Sequence, residues 1–112
     1  MTAELTLGPY VTGEKPAPLQ YQFQDSDGVA IDLSGYTVDF NVSEQYGAPS
    51  TFTGSLVTGG TTGWVQYTWT GNEWPTSGRY FAQFWVGNGT NRFASLRMEF
   101  DVAQPVGVVP SI

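Results

Sequence analysis

The sequence predicts an all-β antiparallel sandwich of about seven strands. Three observations point that way. Aromatic residues fill 15% of the 112 positions, beside many Thr and 14 Gly, while helix-building runs of Ala, Leu, Glu and Lys are missing. Aromatic and β-branched side chains suit the pleated, half-buried surface of a strand. Apolar and polar residues alternate with period two along several stretches, as in sheets wetted on one side. Turn residues separate those stretches at short intervals: Asp27-Gly28, Ser34-Gly35, Gly47, Gly59-Gly60, Pro75 to Gly78, and Gly87 to Gly89.

Residues 4–11 form the first strand, and Pro9, Pro16 and Pro18 limit the region 1–17 to an edge strand or an extended arm. In 18–25, Leu19, Tyr21 and Phe23 alternate with Gln20, Gln22 and Gln24. A short extra element at 30–33 follows. In 36–44, Val38, Phe40 and Val42 alternate with Thr37, Asp39, Asn41 and Ser43. The stretch 51–57 has the weakest pattern of the set. In 63–70, Val65, Tyr67 and Trp69 alternate with Gln66, Thr68 and Thr70. In 79–87 the inward set is Tyr80, Ala82, Phe84 and Val86. In 91–102, Leu96, Met98, Phe100 and Val102 alternate with Ser95, Arg97, Glu99 and Asp101. Asn88-Gly89 joins these last two strands as a tight hairpin turn, because its positive φ matches strand twist. The domain proper is 18–102. The tail 103–112, AQPVGVVPSI, is apolar, yet Pro105 and Pro110 keep it out of a central strand. Such a tail either covers its own domain or docks on a neighbour.

One segment narrows the architecture. Thr76-Ser77-Gly78-Arg79-Tyr80-Phe81-Ala82 resembles the corner-and-strand segment of immunoglobulin domains, Asp-x-Ala/Gly-x-Tyr-x-Cys. The likeness implies an immunoglobulin-like sandwich in which the Tyr80 hydroxyl bonds back to upstream backbone. Ala82 stands at the position of the family's second cysteine, and Thr76 replaces its acid.

Composition excludes several kinds of chemistry. The chain has no Cys, hence no disulfide and no thiolate metal site, as suits a reducing cytoplasm. It has no His, the commonest general base and zinc ligand. Net charge is −6, with only Lys15, Arg79, Arg92 and Arg97 positive, so nucleic acid and anionic membranes are not expected partners. No stretch approaches the ~20 apolar residues of a membrane span. The opening residues have neither the basic start nor the apolar run of a secretion signal.

The acidic residues read as scaffold and surface. Asp25, Asp27 and Asp32 in DSDGVAID share the start of a calcium loop, but the later bidentate acid is missing and a strand precedes the loop where a helix should. A hairpin turn with Asp capping its own backbone is the expected structure. Asp39, Glu99 and Asp101 lie on outward strand faces, and Glu44 and Glu73 at strand ends or in loops, where they serve solubility. Gly59-Gly60-Thr61-Thr62-Gly63 lacks the Lys of a phosphate loop, and the sequons at Asn41 and Asn88 are short enough to arise by chance. No catalytic residue, metal or cofactor is expected.

The outward side of 79–87 is more informative. Arg79, Phe81, Gln83 and Trp85 lie there, with Thr37, Asp39 and Asn41 expected on one flank and Phe93, Ser95 and Arg97 on the other. Large aromatics on a polar face mark a contact surface, unless an arm of the same chain covers them. Phe81 and Trp85 would be about 13 Å apart by strand rise, enough to seat two sugar units or to anchor a protein partner. Trp64, Trp74 and Tyr36 lie near turns and extend the rim. The expected partner-binding set is Arg79, Phe81, Trp85 and Phe93 on this face, with Val106, Val108 and Val109 in the tail.

With the strands placed, a broader likeness emerges over residues 16–102. Asp25-Ser26-Asp27-Gly28, Asp32-Leu33-Ser34-Gly35, Gly63-Trp64-Val65-Gln66-Tyr67-Thr68-Trp69 and Gly78-Arg79-Tyr80 follow the pattern of the N-terminal domain of phage baseplate upper proteins, which the chain resembles. The resemblance implies a non-enzymatic β-sandwich that serves as a virion building block, assembled in the host cytoplasm among other virion proteins and in multiple copies. That family continues into stalk regions, whereas this sequence stops at residue 112, so decoration of a capsid is expected alongside a tail or baseplate place. A carbohydrate-binding module with exposed aromatics as stacking platforms is the second reading, and a hydrolase the third.

Overall fold

Two facing sheets hold ten strands in the computed structural model, which describes residues 4–112. Residues 1–3 of the expected arm lie outside the described residues. The strands are β1 (Glu4–Thr6), β2 (Tyr10–Val11), β3 (Leu19–Gln22), β4 (Thr37–Glu44), β5 (Ser50–Thr53), β6 (Ser55–Leu56), β7 (Trp64–Tyr67), β8 (Gly78–Gly87), β9 (Arg92–Ala94) and β10 (Arg97–Ala103). The larger sheet runs β1-β10-β8-β4-β5, with β2 also on β10 and β9 on β8, and the smaller runs β3-β7-β6. The chain changes sheet between β2 and β3, between β3 and β4, between β5 and β6, and between β7 and β8. This is the strand exchange of an immunoglobulin-like sandwich.

Ten elements replace seven because three of the expected strands divide. The 4–11 stretch breaks at Gly8-Pro9, and both halves run parallel to β10. That edge departs from the expected antiparallel arrangement, since the start of the chain enters beside its final strand in the same direction. The 51–57 stretch breaks at Gly54, where the strand leaves β4 and joins β7. A Cβ on Gly54 would lie 2.8 Å from Val38 Cγ1 and 3.0 Å from Gln66 O, so the crossing needs glycine. The expected 30–33 element is reduced to a single bridge between Gln24 and Ala30.

The third break is a β-bulge. Trp85 pairs with Ala94 and Ala82 with Met98, so three steps along β8 match four along its neighbour. One extra residue around Ser95-Leu96 inverts the facing of everything before it. Phe93 therefore lies opposite buried Val86, packs against the core and stacks on Tyr36 with ring centroids 6.2 Å apart. Leu96, expected inside, is exposed, whereas Ser95 is buried with its Oγ accepting from Phe84 N at 2.9 Å.

The remaining alternation holds. Val38, Phe40 and Val42 on β4, Tyr80, Ala82, Phe84 and Val86 on β8, and Met98, Phe100 and Val102 on β10 are all buried. From the smaller sheet's side they meet Phe23, Val65, Tyr67 and Trp69, with Phe40 stacked on Tyr67 at 4.6 Å and tilted against Phe84 at 4.7 Å. Trp74 is fully buried between Tyr10 and Trp69, which removes it from the expected rim.

The corner tyrosine is present. Tyr80 Oη donates to Thr76 O at 2.6 Å, while its ring stacks on Phe100. Tyr80→Phe keeps the ring and deletes that bond, so it is expected to destabilise the fold by about 1 kcal/mol in urea unfolding. An unchanged midpoint would show that the bond contributes nothing net.

The loops resolve two further expectations. Asp25 Oδ1 accepts from Asp27 N at 2.9 Å and Val29 N at 3.0 Å, which makes DSDG a self-capped hairpin turn. Asp32 likewise accepts from Ser34 N and Oγ, and these bonds hold its carboxyl below the usual range. The β8–β9 connection is a four-residue loop, Asn88 to Asn91, and not a two-residue turn. Asn88 Oδ1 accepts from both Thr90 N and Asn91 N, which stabilises the wider loop.

Glu73 is a correction of another kind. Expected at the surface, it is buried, and its carboxylate accepts from Tyr67 Oη at 2.5 Å, Thr70 N at 2.7 Å, Thr70 Oγ1 at 2.9 Å and Gly71 N at 3.0 Å. It ties the β7–β8 crossover to the core side of β7.

Candidate functional site

The exposed face of the larger sheet is built on β8, flanked by β4 on one side and by β9 and β10 on the other. Alternation puts Arg79, Phe81, Gln83 and Trp85 outward, with Phe81, Gln83 and Trp85 each half-buried by neighbours. Trp85 lies opposite Asp39 on β4 and Ala94 on β9, Gln83 opposite Asn41, and Phe81 opposite Ser43 and Glu99. The expected β4 flank of Thr37, Asp39 and Asn41 is in place. Of the other expected flank only Arg97 is present, because the bulge turns Phe93 inward and buries Ser95.

The two outward aromatics differ in what surrounds them. The Arg97 guanidinium sits over the Phe81 ring, 4.6 Å from its centroid, a cation–π contact. Beside it lies a shallow dip of about 150 Å³ bordered by Asn41, Ser43 and Gln83. Arg79 is also engaged: it pairs with Glu99 at 3.2 Å and Asp101 at 3.3 Å. The bond to Glu99 first, and then the two carboxylate charges, hold its pKa above the usual arginine value. Such an exposed pair orients the side chain and adds little stability.

Trp85 is in a different position. It lines a depression of about 400 Å³ with Gly35, Thr37, Asp39, Asn88 and Arg92. Its indole stacks on no other ring among the described residues. The Asp39 carboxylate and the Arg92 guanidinium, on the same rim, form no ion pair or side-chain hydrogen bond there. Sequence reasoning named Trp85 and Asp39 as neighbours but missed Arg92, which the β8–β9 loop brings round.

The tail forms a second surface. Val106, Val108 and Ile112 are 104%, 92% and 102% exposed, whereas Val109 is 41% exposed and packs on the arm. A Cβ on Gly13 would come within 2.8 Å of Val109 Cγ2, so the absent side chain of Gly13 makes that seat. Between arm residues 11–15 and tail residues 105–112 lies an open groove of about 490 Å³, lined by Val11, Lys15, Val106, Val108 and Ile112 among others. Of the two fates expected for the tail, Val109 follows the first, while Val106, Val108 and Ile112 stay uncovered.

Trp64, on the outer side of the smaller sheet, is 37% exposed and remote from both surfaces. Among the described residues no group of three or more acidic side chains is placed to hold a metal ion, and no helix is long and apolar enough to cross a membrane. No model of a known protein family matches the chain, and a search of curated proteins finds no match to it.

Proposed function

We propose that the chain is a non-enzymatic building block of a bacteriophage virion, a tail or baseplate component or a capsid decoration, that binds neighbouring subunits through its C-terminal tail. The observation that carries the binding part is the tail itself, which leaves Val106, Val108 and Ile112 in water beside an open apolar groove. Burying one such side chain is worth about 1.5–3 kcal/mol, less what is lost in ordering a free segment. One tail therefore makes a modest contact. Repetition around a particle turns modest contacts into firm attachment through avidity. The virion part is supported by the spaced DSDG, DLSG, GWVQYTW and GRY segments of the sequence. The Arg79/Phe81 region, ordered by its ion pairs and cation–π contact, serves as a second, flatter contact.

Particles purified from the source culture test this reading. The chain is expected in them at a fixed copy number, and truncation after Gln104 is expected to lower occupancy at least tenfold while leaving the unfolding midpoint close to that of the full chain. Absence from purified particles removes the virion reading, and full occupancy of the truncated chain removes the tail as the attachment.

A further inference from the structure

We infer that the depression beside Trp85 is a binding site for a single neutral pyranose ring of a glycan. A sugar ring has an apolar C–H face and a rim of hydroxyls, and the depression offers a counterpart to each. Half-buried Trp85 lines the depression with an indole on which no other ring of the described residues stacks. Directly across the sheet, with Cβ atoms about 5 Å apart by strand geometry, Asp39 supplies two acceptor oxygens. Arg92 supplies a fork of donors from the loop side.

The state of those two charges identifies the ligand class. Asp39 and Arg92 have opposite signs and line one depression, yet do not pair with each other or with another described residue. A hydroxyl both donates and accepts, so one ring can satisfy both groups with charge-assisted hydrogen bonds. A lone anion would meet Asp39 and a lone cation would meet Arg92, whereas a neutral polyol meets neither repulsion and its apolar face matches the indole. Gly35 and Gly89 border the depression without side chains of their own. The volume of about 400 Å³ is near the small end of ligand sites, which run from about 300 to 1,000 Å³. Phe81 does not extend the site, because a guanidinium already covers its ring. The two-platform geometry expected from the sequence becomes a one-ring site.

This inference stands apart from the assembly reading, since it uses none of the tail residues and is tested on the isolated chain. The test is a titration of the ¹⁵N-labelled full chain with glucose, galactose, mannose, rhamnose and N-acetylglucosamine, each to about 100 mM, a range that detects millimolar binding. At least one sugar is expected to shift the Trp85 indole N–H saturably while the Trp64 indole, on the opposite sheet, stays in place. Asp39→Asn and Arg92→Gln, both at exposed positions that leave the core intact, are each expected to weaken that binding about tenfold. Phe81→Ala is expected to leave it within about twofold. No shift at Trp85 with any of the sugars, or equal shifts at Trp85 and Trp64, would overturn the inference. So would binding that survives both Asp39→Asn and Arg92→Gln.

Discussion

Glu73→Ala is expected to destabilise the protein by about 3–5 kcal/mol, since each donor left without an acceptor costs about 1–3 kcal/mol where it is buried. The substitution leaves the buried Tyr67 hydroxyl, and the part-buried Thr70 hydroxyl and two backbone N–H groups, without their acceptor. Glu73→Gln keeps the shape and one acceptor oxygen but points an amide N–H₂ at groups that themselves donate, so it recovers only part of the loss. Burial alone would raise the Glu73 pKa. The bonds from Tyr67 and Thr70 outweigh it and bring the net value below the ordinary 4.5.

A lowered folded pKa sets the sign of the pH dependence. The unfolded chain takes up the proton first, so the contribution of Glu73 is complete above its ordinary pKa and is lost as pH falls through the folded value. The Tyr67 phenol moves the opposite way: burial, and then its bond to the Glu73 carboxylate, raise its pKa above 10.0. Its contribution is complete below that ordinary value and is lost at higher pH, where the unfolded phenol ionises while the folded one resists. Urea unfolding of wild type and Glu73→Gln across pH checks both. The difference between them is expected to be constant near neutrality and to shrink below pH 4.5. A difference that stays constant into acid would mean that Glu73 is not ionised in the fold.

Gly63→Ala carries the second large effect, about 3 kcal/mol or more. Gly63 has φ +76°, and a Cβ there would lie 2.6 Å from Phe23 O and 3.0 Å from Ile31 O. An L side chain in that left-handed region costs about 1–2 kcal/mol before any clash. The clash adds to this because Phe23 O is not free to move: it accepts from Ile31 N at 3.0 Å, and Phe23 N in turn donates to Gly63 O at 2.9 Å. Gly89→Ala is the control. Its φ of +88° is equally unfavourable, but its added Cβ meets open space, so a loss of only about 1–2 kcal/mol is expected. Thermal unfolding of the two variants side by side separates backbone strain from collision, and equal losses would refute the role given to the Phe23 carbonyl.

Local pattern was informative wherever a strand itself runs unbroken. β4 and β8 alternate without interruption, and every inward residue named on them is buried. Tyr80 at the corner was legible because its bond reaches only four residues back. Phe93 was misplaced because strict alternation was carried through Ser95-Leu96, where one bulged residue inverts the facing. Glu73 reads as surface because a carboxylate in a loop usually is; its donors, Tyr67, Thr70 and Gly71, all lie within six residues, and that local ring of bonds carries no periodic signal. The candidate site was legible in half. Trp85 and Asp39 followed from strand facing, whereas Arg92 joined them only through the width of a four-residue loop.

The sequence by itself determined the sandwich, its principal strands and the inward set of the central ones, because burial of one sheet face imposes a period that survives in the residue order. Tertiary structure alone decided where strands divide and change sheet, that the first two run parallel to the last, and which side of the bulge Phe93 takes. It also decided that a guanidinium covers the Phe81 ring while Trp85 lines a depression, and that the tail seats one valine on Gly13 and leaves Val106, Val108 and Ile112 in water. The physical reason is the range of the interactions. Alternation is a property of neighbouring residues, whereas coverage, register shifts and hydrogen-bond satisfaction depend on groups that meet only after the chain has closed on itself.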